Sequence, residues 1–195
     1  MFYSEEETYS IRINAVKLLG ALCCAKMSKP KAGAKGKKRG KGRSNSKDGA
    51  GGYAVVLPYL QQFAPPTAGC DWAQVSQYCG VLYSYGACAA YLEEQNDSFR
   101  NTLLSNRIFP AFASGNQQLM AHASWVIGQF SGAISKKATN SIYERLVGAL
   151  RGVSVEYPLH SAAVGSLCEL VEAEVFPPDW KPLLESLLMG LEEEH

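Results

Sequence analysis

The chain has 195 residues, of which 47% are hydrophobic, enough for one compact domain or for several units of a repeat protein. Its first residues, MFYSEEETYS, are acidic and lack the basic-then-apolar order of a signal peptide, and no apolar run approaches the roughly 18 residues of a membrane span. We therefore expect a soluble, intracellular protein without membrane insertion.

The net charge of +1 conceals an asymmetry. Residues 26–48 contain ten of the nineteen Lys and Arg but only one of the eighteen Asp and Glu. Nine basic and seventeen acidic side chains remain for the rest of the chain. The folded part is therefore predicted to be acidic, with one basic segment inserted into it.

Nearly every segment outside the loops has apolar residues at helical spacing, and almost none alternates with the period of a strand. The helical stripes, in chain order, are Ile11 to Leu22, Val56 to Phe63, Trp72 to Gly86, Leu119 to Ile134, Ile142 to Leu150, Leu159 to Leu170, and Trp180 to Leu191. Counting the stretch around Leu103, this pattern predicts an all-α protein of about eight helices.

Short breaks with turn chemistry separate these stripes, as in the Ser-Gly-Asn turn at residues 114–116. Asp71, Asp97 and Asp179 stand where helix N-caps are expected, and Pro158 suits a first helical turn. Pro110 is expected to end the helix that precedes the Ser-Gly-Asn turn.

The helices recur with a regular period. Leu60, Leu103, Leu146 and Leu187 lie 43, 43 and 41 residues apart, and the alternate helices are centred near Leu82, Val126 and Leu167. A period of about 40 to 47 residues built from two helices is typical of HEAT and armadillo solenoids. Chance periodicity in a Leu-rich helical chain is the competing explanation.

This register predicts three regions. Residues 1–26 form the helix of an incomplete first repeat, residues 27–52 are a basic Gly/Lys-rich disordered insertion, and residues 53–195 are HEAT-like repeats of which the last is incomplete. Because neither end has a polar cap, we expect a fragment of a longer array or a unit that pairs with another chain.

The basic insertion has no GxxxxGK[ST] motif, so it is not a P-loop. Its plainest interpretation is a solvated loop between helices. The alternatives are a localisation signal, a nucleic-acid contact or an intramolecular latch against the acidic folded part. The residues that would make these contacts are Lys35, Lys37, Lys38, Arg39, Lys41 and Arg43. The insertion has no aromatic side chains to stack on bases, which favours electrostatic attraction over specific RNA recognition.

The sequence gives little support for a catalytic site or a metal site. His122 and His160 lie 38 residues apart with no carboxylate close in sequence, and the six cysteines form no CxxC pair. We expect reduced, mostly packed thiols and structural histidines, no cofactor and no enzymatic activity. Trp72, Trp125 and Trp180 occupy apolar helix positions, so core packing is their expected role, with a partner pocket as the alternative.

The stretch LLSNRIFPAFASGNQQLMAHASWVIGQFSG resembles a HEAT repeat from the central part of importin-β (karyopherin-β) nuclear transport receptors. The residues that fit the family pattern are Ile108, Pro110, Ser114, Ala121, Ala123, Trp125 and Val126. Met120 and His122 replace arginines usual in this motif, and Ser124 stands where Cys is common. The resemblance is clearest over residues 98–193.

The resemblance implies a receptor that acts in protein import into the nucleus, with cytoplasm, nucleus and nuclear envelope as its locations. It implies protein cargo, basic in view of the acidic folded part, and nucleoporin Phe-Gly repeats bound between outer helices. The family binds Ran GTPase chiefly through its N-terminal repeats, and we expect the resemblance to cover only the central repeats, so Ran binding is expected of the full-length family and not of this fragment. A general HEAT/armadillo scaffold unrelated to transport is the alternative function.

Overall fold

The computed structural model describes residues 53–151 and 157–192, and within these ranges the chain is helical without any strand. The α-helices are α1 (Tyr53–Leu60), α2 (Trp72–Ala87), α3 (Ala89–Glu93), α4 (Asp97–Leu103), α5 (Phe109–Ala113), α6 (Gln117–Gln129), α7 (Lys136–Leu150), α8 (Tyr157–Glu172) and α9 (Lys181–Glu192). A π-helical turn, Leu104–Ile108, joins α4 to α5, and a 3-10 turn, Ser131–Ala133, follows α6. The predicted all-α class is confirmed.

Polar side chains fix where several helices begin. The amide of Gln74 donates to Asp71 Oδ1 at 2.8 Å, and the Asp71 amide donates to Gln74 Oε1 at 3.1 Å, which completes a capping box at α2. Asn116 caps α6 by accepting from the Leu119 amide. The predicted cap at Asp97 is one residue off, because Asn96 accepts from the Phe99 amide and Asp97 is already helical.

The expectation that Pro110 ends a helix is wrong. The helix continues through Pro110 to Ala113, and the chain turns at Ser114 and Gly115, where Gly115 has φ of +69°. The wider π-helical turn just before Pro110 accommodates its missing amide proton and its ring. The reversal therefore comes from the left-handed glycine and not from the proline.

Helices α2, α6 and α8 form a central row in which α6 packs against both neighbours. Small residues allow α6 and α8 to approach closely: a Cβ added to Gly128 would lie 3.2 Å from the Ser166 Cα. The Ser166 hydroxyl donates to the backbone carbonyl of Ser124 on α6. On the other side of α6, the Trp125 ring lies directly over Gly86 of α2.

The remaining long segments, α1, α4 with α5, α7 and α9, are called the flanking helices. Arginines link them in chain order. Arg107 donates to carbonyls that follow α1, the Arg145 guanidinium of α7 lies 3.9 Å from the centre of the Phe109 ring of α5, and Arg151 at the end of α7 donates to Ser186 of α9 at 2.8 Å. Helix α7 also packs against α8 of the central row.

The predicted core is largely confirmed. Leu60, Leu103 and Leu146, which mark the 43-residue period, are all buried, as are Leu82, Val126 and Leu167. The expectation for two of the three tryptophans is wrong, because Trp72 and Trp180 are 69% and 44% exposed. Only Trp125 packs against the core, and its side chain is half-buried.

Two regional predictions cannot be compared with the structure. The helix expected in residues 1–26 and the insertion expected at residues 27–52 both lie outside the described residues. Of the eight expected helices, the other seven occur. Two of them are subdivided, at Cys88 between α2 and α3 and at the π-helical turn between α4 and α5.

Candidate protein-interaction site

The basic residues proposed as a localisation or nucleic-acid contact are Lys35, Lys37, Lys38, Arg39, Lys41 and Arg43, and all six lie outside the described residues. The described part carries seven Lys and Arg against eleven Asp and Glu, so it is acidic as expected. No helix in that part combines the length and the apolar character needed to cross a membrane.

A groove of about 470 Å³ separates the segment after α1 from α4, and we call it the flanking groove. Phe99 and Leu103 of α4 lie on one side, and Ala64 and Pro65 on the other. Its remaining lining is polar and comes from Gln61, Gln62, Thr102, Asn106 and Arg107. The groove therefore combines apolar surface with amide groups that can hydrogen-bond a peptide backbone.

Arg107 determines the shape of this groove. Its guanidinium donates to the carbonyl oxygens of Phe63 at 2.7 Å and Gln61 at 2.8 Å, which holds the segment after α1 against the π-helical turn. The backbone carbonyl of Arg107 in turn accepts from the Tyr78 hydroxyl of α2 at 2.7 Å. One residue thereby ties three elements together through charge-assisted and neutral hydrogen bonds.

Two buried tyrosines of α2, Tyr78 and Tyr85, lie close to Arg107. Burial raises the pKa of Tyr78, with a smaller contribution from the neighbouring Tyr85, while Arg107 opposes the rise. Burial likewise raises the pKa of Tyr85, whose hydroxyl has no hydrogen-bond partner among the described residues. Both groups therefore stay protonated at physiological pH, and neither is poised for acid-base chemistry.

A second groove, of about 700 Å³, lies between α4 and the start of α7. Its lining is polar, with Ser98, Asn101 and Ser105 of the α4 segment facing Lys136 and Lys137. The Ser135 hydroxyl donates to Asn101 Oδ1 at 2.9 Å across this groove and does not cap α7. The two grooves share Thr102 and Asn106 in their linings, so they adjoin on the α4 segment, but they differ in chemistry.

An aromatic cluster lies on the central row. The Tyr83 ring of α2 meets the His122 ring of α6 edge to face at 4.5 Å, and it lies 5.2 Å from the Trp125 ring. His122 Nδ1 is 2.7 Å from the Gln118 carbonyl oxygen. His122 therefore contributes to packing between α2 and α6.

The described residues contain no group of three His, Cys, Asp or Glu side chains that could hold a metal ion. Cys79 and Cys88 are buried thiols, Cys70 is half-buried and Cys168 is exposed. His160 is half-buried on α8. The expectation of packed thiols thus holds for Cys79 and Cys88 but not for Cys168.

The C-terminal helix presents an uncovered apolar surface. Leu184 and Leu188 of α9, and Phe176 and Trp180 in the segment just before it, are each between 44% and 60% exposed, and we call these four residues the α9 stripe. This agrees with the sequence, in which an apolar stripe runs from Trp180 to Leu191 without a polar cap. Among the α9 side chains whose burial is described, Leu183 is the buried apolar one and Leu187 is half-buried, because α7 contacts one side of the helix.

The resemblance implied binding between outer helices, but the residues that line the flanking groove were not predicted from the sequence. Arg107 stands in an apolar stretch, LLSNRIF, and this isolated charge is the one signal that could have indicated a structural contact. Comparisons with protein-family models, with curated proteins and with solved structures find no match to this chain.

Proposed function

We propose that this chain is part of an importin-β-like transport receptor, a HEAT-type solenoid that binds protein cargo and Phe-Gly nucleoporin segments during protein import into the nucleus. The observation that supports this most directly is the flanking groove. Its apolar side chains from Phe99 and Pro65, beside the amides of Gln61 and Gln62, suit a phenyl ring with glycines on either side.

The arrangement of helices supports a solenoid. A central row of α2, α6 and α8 alternates in sequence with flanking helices, and the buried leucines Leu60, Leu103 and Leu146 lie 43 residues apart. Each repeat unit contacts its neighbours in chain order, which is how solenoids build a continuous core. The binding of ligands between successive flanking helices follows from this arrangement.

Cargo selection is proposed to rest on charge. The described residues carry an excess of four acidic groups, and five exposed ones, Glu169, Glu172, Glu174, Asp179 and Glu185, fall within seventeen residues. Such a field attracts basic proteins and weakens as salt screens it. Ran-linked release is proposed only for the full-length family.

Binding to a Phe-Gly peptide tests this function. Ala64→Trp should fill the groove, because Ala64 is exposed and lines it, whereas Ala68→Trp in the same loop is the matched control outside the groove lining. We expect the full chain to be retained on immobilised Phe-Gly repeats, with at least a fivefold loss for Ala64→Trp and none for Ala68→Trp.

A repeat peptide with every Phe replaced by Ser is the ligand control. Equal retention on the Phe and Ser peptides would contradict the proposal. If the chain binds neither Phe-Gly repeats nor a basic cargo at low salt, the general HEAT/armadillo scaffold becomes the better function, since it needs only the packing described above.

A further inference from the structure

We propose that residues 11–31 of the same chain dock on the α9 stripe and form an intramolecular latch between the two ends of the molecule. This inference goes beyond cargo and nucleoporin binding and does not depend on either. A partner of the α9 stripe needs an apolar face of its own and a charge opposite to that of the surrounding residues.

The α9 stripe is large enough to be an interaction surface. Its four side chains are all about half exposed, and together they present on the order of 400 Å² of apolar area, within the range of patches that mark interaction sites. The Phe176 and Trp180 rings lie 6.1 Å apart and already contact each other. An amphipathic helix with its own apolar face is the natural complement to such a stripe.

The surroundings of the stripe select a basic partner. The exposed acids Glu172, Glu174, Asp179 and Glu185 lie near it in sequence, and Lys181 is the one basic residue between positions 157 and 190. Lys181 and Arg151 both pair with Glu185, at 3.8 and 3.7 Å. A second copy would bring the same acids against these, so charge repulsion disfavours a symmetric dimer.

Residues 11–31 have the required composition. Ile11, Ala15, Leu18 and Leu22 recur at helical spacing and give one apolar face. The same stretch has five Lys and Arg and no Asp or Glu. The segment therefore combines an apolar face, which could cover the α9 stripe, with a charge opposite to that of the surroundings of the stripe.

The chain is long enough for the connection. Residues 32–52 are 21 residues rich in Gly, Ala, Ser and Lys. A Gly/Ser-type linker of that length has an r.m.s. end-to-end distance of roughly 25 Å. Three steps separate α1 from α9 along the flanking helices, or roughly 25 to 30 Å at about 8 to 10 Å per packed pair. Docking within one chain therefore requires no unusual extension.

Zero-length carbodiimide cross-linking of the full chain, followed by mass spectrometry, tests the latch. We expect links from Lys17 or Lys26 to Glu174 or Glu185, at a yield that persists on dilution and falls with added salt. The variant Leu184→Glu with Leu188→Glu should lower this yield at least fivefold without unfolding the chain, because both side chains are exposed. Tyr157→Glu, at an exposed apolar residue outside the stripe, should leave the yield unchanged.

Three outcomes would overturn the proposal. Links that disappear on dilution while a dimer is present would assign the surface to a second copy. An unchanged yield in the Leu184→Glu, Leu188→Glu variant would show that the stripe is not the docking site. Loss of the links in Tyr59→Glu alone would place residues 11–31 in the groove between α1 and α2, which Tyr59 lines.

Discussion

The central row and the flanking helices are held by different interactions. In the central row, Gly128, Ser166 and Gly86 let backbones and rings approach closely, and the interior is aliphatic and aromatic. Neighbouring flanking helices are connected by contacts of arginine side chains, and one of these arginines, Arg107, lines the flanking groove. Close packing resists changes of volume, whereas a long polar side chain can hold two helices apart and leave space for a ligand between them.

The largest expected effect comes from a cavity in the central row. Ile127→Ala removes a fully buried side chain of α6, and such truncations lower the free energy of unfolding by about 2 to 5 kcal/mol. Tyr157→Ala, at an exposed side chain of α8 outside the α9 stripe, should change it by about 0.5 kcal/mol or less. Urea unfolding followed by circular dichroism measures both. Equal losses would show that the buried side chains of the central row do not dominate stability.

The second prediction concerns a substitution that adds a side chain to the central row. Gly86→Ala would place a methyl group 2.2 Å from the nearest carbon of the Trp125 ring. Overpacking of this kind costs about 1 to 3 kcal/mol. Gly148→Ala is the matched control, because nothing lies within 4 Å of the added methyl, and it should stabilise by about 0.5 to 1 kcal/mol.

Trp fluorescence provides a second measurement for this pair. Trp125 packs against the core while Trp72 and Trp180 are exposed, so a displaced Trp125 should shift the emission to longer wavelength in Gly86→Ala only. Stabilisation by both substitutions would mean that the α2 and α6 contact is looser than described.

The third prediction concerns the flanking helices. Arg107→Gln removes the donors to the Gln61 and Phe63 carbonyls and should cost about 1.5 to 3 kcal/mol, in the range for hydrogen bonds from a charged group. Arg145→Gln removes a contact with the Phe109 ring worth about 0.5 to 1 kcal/mol. Hydrogen exchange should show faster exchange in residues 61–71 for Arg107→Gln and not for Arg145→Gln. The opposite pattern would contradict the role assigned to Arg107.

The smallest effect depends on pH. Burial raises the pKa of Tyr78 and Tyr143 above the value of about 10 in an unfolded chain, so folding favours the neutral phenols. Their contribution is complete below pH 10 and is lost as pH rises through the folded-state pKa values. Tyr78→Phe should cost about 1 kcal/mol at pH 7, for the lost bond to Arg107.

Above pH 10, the difference between the wild-type chain and Tyr78→Phe should narrow, because only the wild type must keep the Tyr78 phenol neutral. Urea unfolding at pH 7, 9 and 10.5 measures this change. A constant difference across that range would show that Tyr78 does not titrate differently in the folded and unfolded chains.

Sequence patterns predicted the features that depend on the local side-chain types and on the spacing of apolar residues. The caps at Asp71 and the burial of Leu60, Leu103 and Leu146 follow from side-chain type and spacing alone. The exposure of Trp72 could not be predicted, because a stripe at helical spacing shows which face is apolar and not what covers it. The contact of Arg107 with Phe63 spans 44 residues, beyond the reach of any local pattern.

The π-helical turn at Leu104–Ile108 limits which changes of length this region tolerates. A wide turn carries one more residue than a regular α-helix over the same rise, so it is the usual trace of a single-residue insertion. Removing that residue would rotate everything after it by about 100°. Phe109 would turn away from Arg145, and Ala111 would leave the core. The extra residue therefore fixes which way the side chains of α5 face relative to those of α4. Related chains should keep the number of residues in this turn even where they change its side chains.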